Sequence, residues 1–152
     1  MDAGAVELDY VINYPLLKQA SYSGILSELQ ILRSSFLSVL IKLILETSQL
    51  SRLDIVAGCL LAAAAKLDFV KTSTGFVGSG AKVDDVRLMR FVVSSEGDAM
   101  GVKASGGIRS ASDAANMLRA GATRLGLSGS VLIMEEGRGD LVEADRPSAE
   151  GY

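Results

Sequence analysis

Lys42, Lys71 and Lys103 each stand inside a short apolar run: Ile41-Lys42-Leu43, Val70-Lys71-Thr72 and Val102-Lys103-Ala104. An ammonium buried without a partner is costly, so each must pair with a carboxylate or be held for chemistry. Lys71 and Lys103 fall near the ends of successive strand-like runs and on the same side of them, so neighbouring strands would bring the two amines together. Like charges in a poorly solvated site lower the pKa of at least one amine. An amine neutral near pH 7 is a nucleophile that condenses with carbonyls to a Schiff base. Glu7, Asp9 and Glu46 are the carboxylates that would otherwise hold these lysines in structural ion pairs, and at this level both readings stand.

A second kind of chemistry sits in the turns. Thr74-Gly75, Gly106-Gly107 and the stretch Gly126–Ser130 all follow strand-like runs. Small residues there let backbone N–H groups approach an anion, and in (β/α)8 barrels the loops after the last two strands often form a phosphate site.

Composition closes off other chemistries. The 152 residues contain no histidine, which removes imidazole acid/base catalysis, Ser-His-Asp triads and histidine-ligated metals. With 15 basic and 18 acidic residues the net charge is −3, against a broad basic surface for nucleic acid. The lone Cys59 lies in an apolar helical run and reads as a buried structural thiol in a reducing compartment. The longest apolar run, Ile55 to Ala65, is about half the roughly 20 residues of a membrane span. Met1-Asp-Ala-Gly-Ala has no basic start or apolar core of a signal peptide. These features lead us to expect a soluble, cytoplasmic protein.

The elements that must position these groups alternate. Strand-like runs at Val6–Asn13, Val39–Glu46, Asp68–Thr72, Gly101–Ser105 and Ala122–Gly126 are separated by helix-like stretches at Ser23–Ser35, Ser51–Lys66, Val83–Ser94 and Ser110–Ala120. That order predicts an α/β fold of five parallel βα units. Ser110 with Asp113, and Thr47, Ser48 or Ser51, offer helix N-caps, and Gly121 offers a stop. Sorted by parity, one strand face carries Leu8, Tyr10, Ile12, Ile41, Leu43, Leu45, Val70, Val102 and Ala104, with Phe69 off this phase. The other carries Glu7, Asp9, Asn13, Lys42, Glu46, Lys71, Ser73, Lys103 and Ser105. A buried parallel strand is ordinarily apolar on both faces. A charged face on four strands therefore suggests a barrel interior or the rim of an open sheet.

Five stretches, taken together, resemble one family. Glu7 to Asn13, Ile41 to Thr47, Phe69 to Phe76, Val102 to Arg109 and Ala120 to Gly126 resemble deoxyribose-phosphate aldolase in order and spacing, over about residues 3–132. The resemblance implies a class I aldolase on a TIM barrel, without metal or cofactor, acting in deoxyribonucleotide catabolism. Its substrate would be a small sugar phosphate, 2-deoxy-D-ribose 5-phosphate, cleaved to acetaldehyde and D-glyceraldehyde 3-phosphate. Lys71 matches the Schiff-base lysine, and Lys103 the second lysine whose charge keeps it deprotonated. Asp9 matches a carboxylate of the proton-transfer network, and Lys42 a further lysine lining the site. Gly75, Gly106, Gly107, Gly126 and Ser128 would contact the phosphate.

The match departs from the family in places. Lys82 stands where a Thr is usual, and Leu127 and Gly129 replace hydroxyl residues of the last phosphate loop. The match begins at what would be the fourth strand, so the expectation is a partial TIM barrel, strands 4–8, over residues 1–134. Absent strands would leave two open sheet edges. Residues 135–152, charged and glycine-rich, read as a mobile tail ending in Tyr152; some family members end in a tyrosine that reaches the active site, and a tail that ends in Tyr by coincidence is the alternative the residues favour. A homo-oligomer is the expected association. Two other functions fit the residues: an impaired aldolase piece that binds phosphate or pairs with a full-length copy, and another phosphate-binding barrel enzyme using a lysine as acid or base.

Overall fold

The computed structural model describes residues 4–97 and 100–144. Its chain order is β1 (Glu7–Val11), α1 (Tyr14–Lys18), α2 (Tyr22–Ser35), β2 (Leu40–Ile44), a 3-10 turn (Thr47–Gln49), α3 (Arg52–Ala64), β3 (Phe69–Lys71), α4 (Val83–Ser95), β4 (Gly101–Ser105), α5 (Ala111–Arg119), β5 (Arg124–Gly126) and α6 (Ser130–Ala144). All five strands are parallel and lie in the order β1-β2-β3-β4-β5, so β1 and β5 are the edges of the described sheet.

The helices start where side-chain oxygens satisfy free backbone donors. Ser51 Oγ accepts from the Asp54 N–H at 3.2 Å, and Asp54 Oδ2 accepts from the Ser51 N–H at 3.1 Å, a reciprocal capping box that opens α3. Ser110 Oγ accepts from the Asp113 N–H at 3.0 Å and opens α5. Asn13, on the polar phase of β1, caps α1 instead of facing the sheet interior.

The apolar strand face is the core. Ile41, Leu43, Leu45, Val70, Val102 and Ala104 are fully buried in one cluster with Leu17, Leu29, Ile55, Cys59, Met89 and Val93 of the helices. Each large side chain so buried contributes about 1.5–3 kcal/mol of transfer free energy. Gly58 permits α3 to approach the sheet, since a Cβ there would lie 2.8 Å from Leu45 Cδ2.

Two elements differ from the sequence expectation. The short α1 falls in a stretch too brief to show a helical period. Helix α6 runs to Ala144, well past Glu135, where a tail was expected to start. Gly137 and Gly139 obscure its helical pattern, but tertiary contacts supply what propensity lacks. Ile133 is buried against the core, and Glu136 Oε2 accepts from the Ala111 N–H at 2.8 Å, capping the next helix over. Tyr152 lies outside the described residues.

Candidate active site

The strand register sets the charged face. Asp9 is level with Lys42, Ile44 with Lys71, Lys71 with Lys103, and Lys103 with Arg124. Because side chains alternate, Lys42, Lys71 and Lys103 project from three adjacent strands to the same side. All three reach one carboxylate. Lys71 Nζ donates to Asp9 Oδ2 at 2.7 Å and Lys103 Nζ to the same oxygen at 3.3 Å, while Lys42 Nζ lies 2.9 Å from Asp9 Oδ1. Lys42 also meets Glu7 at 2.6 Å, and Glu7 reaches across the sheet to Arg124 on the far edge strand at 2.7 Å.

Below this layer lies an apolar floor. Phe69, off-phase from the core, occupies the inner face, with the Arg124 guanidinium 4.8 Å above its ring. Gly101 on the next strand leaves the room, since a Cβ there would be 2.3 Å from the Phe69 ring.

The electrostatics follow from the crowding. Burial alone would raise the Asp9 carboxyl, but hydrogen bonds from Lys71 and Lys42 outweigh it and hold the group far below the usual carboxylate range. Burial likewise opposes the charge of Lys42, yet hydrogen bonds to Glu7 and Asp9 leave its pKa above the ordinary lysine value. Lys103 goes the other way. Burial first, then the nearby Lys71 charge, push it below the ordinary lysine value against the pull of Asp9.

The glycine turns meet next to the lysines. A cleft of about 490 Å³ is lined by Gly75, Gly106, Gly107, Gly126 and Ser128, with Arg109 at its wall. Gly106 and Gly107 are both left-handed, at φ +84° and +74°, and a Cβ on Gly107 would stand 2.9 Å from Ser79 O. At Gly126 the cleft and the lysine cluster are contiguous, because a Cβ there would come within 3.3 Å of Lys103 Cε.

Every site residue expected within the described chain is therefore gathered at this face or its adjoining cleft. Glu46 is not among the lysine partners. Its Oε2 accepts from the Thr74 N–H at 3.1 Å and from Thr74 Oγ1 at 2.7 Å. Arg124 and Arg109 were not singled out from sequence; only the fold puts Arg124 opposite Glu7. Among the described residues no cluster of three or more His, Cys, Asp or Glu could hold a metal ion, and no helix is long and apolar enough to cross a membrane.

A sheet of five parallel strands with lysines on one face and a glycine-walled cleft at the strand ends is the architecture of a partial (β/α)8 barrel. Among curated proteins the chain is 46% identical over 147 residues to deoxyribose-phosphate aldolase of Coccidioides immitis, covering 97% of this chain and 55% of that one. It is 48% identical over 139 residues to the Streptococcus sanguinis enzyme of that name, covering 90% and 62%. A crystal structure assigned to deoxyribose-phosphate aldolase from C. immitis matches with a TM-score of 0.88 at 47% identity, over 91% of this chain and 55% of that one. The tetrameric deoxyribose-phosphate aldolase of Aeropyrum pernix matches with a TM-score of 0.77 at 35% identity, over 90% and 57%. No family model matches. The chain is similar to deoxyribose-phosphate aldolases over most of its own length and spans just over half the length of these relatives.

Proposed function

We propose that the chain carries the lysine machinery of a class I aldolase that cleaves 2-deoxy-D-ribose 5-phosphate to acetaldehyde and D-glyceraldehyde 3-phosphate. The observation that supports this most is the convergence of Lys42, Lys71 and Lys103 on Asp9, next to the cleft formed by Gly75, Gly106, Gly107, Gly126 and Ser128.

In this reading the neutral Lys71 amine adds to the aldehyde carbon of the open-chain sugar, and loss of water leaves an iminium. The 3-hydroxyl then gives up its proton, and the C2–C3 bond breaks with its electron pair moving into an enamine. Glyceraldehyde 3-phosphate departs. Protonation of the enamine carbon and addition of water release acetaldehyde and return the amine. The iminium is the electron sink, so the step calls for no metal or cofactor. Lys103 stands beside Lys71 on the same Asp9 oxygen, and Asp9 with Lys103 and a water carries protons. Lys42 fixes Asp9 from its other oxygen. The glycine turns hold the phosphate by backbone N–H groups. A reducing cytoplasm and a role in deoxyribonucleotide breakdown suit this chemistry and the single buried thiol. A homo-oligomer is the proposed assembly.

Borohydride reduction in the presence of substrate tests this. A sugar- or acetaldehyde-derived mass should appear on Lys71 and vanish in Lys71→Ala; no adduct, or one that survives the substitution, refutes it. A second reading is a phosphate-binding piece that pairs with a longer copy and has no turnover of its own. The free edges β1 and β5, with Val6 77% exposed, favour it. Phosphate binding without cleavage or adduct would select it.

A further inference from the structure

We propose that Glu46 is a positioning residue for anion binding, its carboxylate fixing the turn Thr74-Gly75-Phe76 that forms one wall of the cleft. The proposal rests on the reading of that cleft as the phosphate site.

Glu46 lies two residues past the end of β2 and is only 1% exposed, although nothing basic pairs with it among the described contacts. Its backbone is left-handed at φ +59°, a conformation that a residue with a Cβ keeps only where its surroundings hold it there. What holds it is a two-strand junction. The Leu45 N–H donates to Lys71 O at 2.9 Å and the Thr47 N–H to Thr72 O at 2.9 Å, which leaves the intervening Glu46 side chain directed at the end of β3. One carboxylate oxygen there takes both donors of Thr74, its N–H and its hydroxyl. The hydroxyl in turn accepts from the Phe76 N–H at 3.2 Å. A single oxygen thus sets the first three residues of the turn.

The same β2–α3 connection supports the turn further along. Gly78 rests against Ser48, where a Cβ would be 2.1 Å from Ser48 Oγ. The far end is tied to the opposite wall, with the Ala81 N–H donating to Gly106 O at 3.0 Å. Thr74, Gly75 and Phe76 line the cleft, and Phe76 is almost wholly exposed, so solvent gives this wall no other support. The second Glu46 oxygen, Oε1, is buried without a hydrogen-bond partner. Burying a carboxylate that uses only one oxygen is unfavourable for the fold alone, which points to the geometry of the turn as what Glu46 supplies.

The test uses inorganic phosphate as the probe, titrated into the full chain. Glu46→Ala should weaken phosphate binding about tenfold, the loss expected when a charge-assisted anchor is removed. Glu46→Asp, one methylene too short to reach Thr74, should do the same. Glu46→Gln retains an acceptor oxygen and should stay within about twofold of wild type. Acetaldehyde carries no phosphate, so its borohydride-trapped adduct at Lys71 should form in every variant as in wild type. Unchanged phosphate affinity in the Ala and Asp variants overturns the proposal. So do a Gln variant as weak as Ala, a wild-type chain that binds no phosphate, parallel loss of adduct and phosphate, or failure of both Ala and Asp variants to fold. An absent adduct in wild type would instead remove the aldolase reading, and the phosphate titration would still decide on Glu46.

Discussion

Replacing Asp9 with asparagine removes the one carboxylate that, among the described residues, Lys42, Lys71 and Lys103 share. The three amines lie 2.7–3.3 Å from it and are themselves largely buried, with side chains 4%, 10% and 16% exposed. At an effective dielectric of about 20 each contact has a gross attraction of roughly 5–6 kcal/mol, and removing one partner of a buried pair costs about 3–5 kcal/mol. Asp9 is 30% exposed and Glu7 still holds Lys42, so the net loss should be smaller, about 2–4 kcal/mol near neutral pH. For a domain of this size that lowers the melting temperature by roughly 5–15 °C. The pH dependence is the sharper signature. The folded-state pKa of Asp9 is depressed, so its stabilisation is complete above the ordinary aspartate value and is lost as pH falls below it. The asparagine variant should lack that acid limb. Lys103 is shifted downwards, so its folding penalty is relieved as pH rises towards the ordinary lysine value. Without Asp9, whose charge opposes that shift, Lys103 should move further down. Urea denaturation at several pH values measures both effects. A variant within about 0.5 kcal/mol of wild type, with the acid limb intact, would refute the shared-carboxylate argument.

Gly80→Ala should lose both stability and phosphate binding. Gly80 sits at φ +75°, and a Cβ would lie 2.4 Å from the Gly106 carbonyl, so a cost of about 2–4 kcal/mol is expected. Denaturation with phosphate titration checks this, and near-neutral behaviour on both would count against the turn packing. Cys59 is fully buried, and burial pushes its thiol up to about 12. A thiol reagent should label it only as fast as the chain opens, and rapid labelling of the folded protein would contradict its placement in the core.

The charged face was legible because strand side chains alternate with period two. Parity alone grouped Asp9, Lys42, Lys71 and Lys103 on one side, and the register puts them there. The same rule left Phe69 out of the core, and it indeed lines the inner face. Strand ends were harder to read: the last run shrinks from Ala122–Gly126 to Arg124–Gly126, because pairing with β4 and not hydrophobicity decides where a strand begins. Contacts of long sequence separation left no mark on the local pattern. Glu7 meets Arg124 across 117 positions, and Glu46 meets Thr74 across 28 through a turn that exists only once β2 and β3 are side by side. Helix α6 was hidden by two glycines and is held by a cap that it provides for its neighbour.

Bulk at Phe69 and its absence at Gly101 amount to one volume divided between two strands. A larger residue at 101 would drive the ring upwards, displacing Arg124 and with it Glu7, which pairs with Lys42. A smaller residue at 69 would let water in from beneath. The two positions are therefore coupled: a gain in size at one is tolerated only with a loss at the other, and the ion pairs of Arg124 and Lys42 with Glu7 register any mismatch.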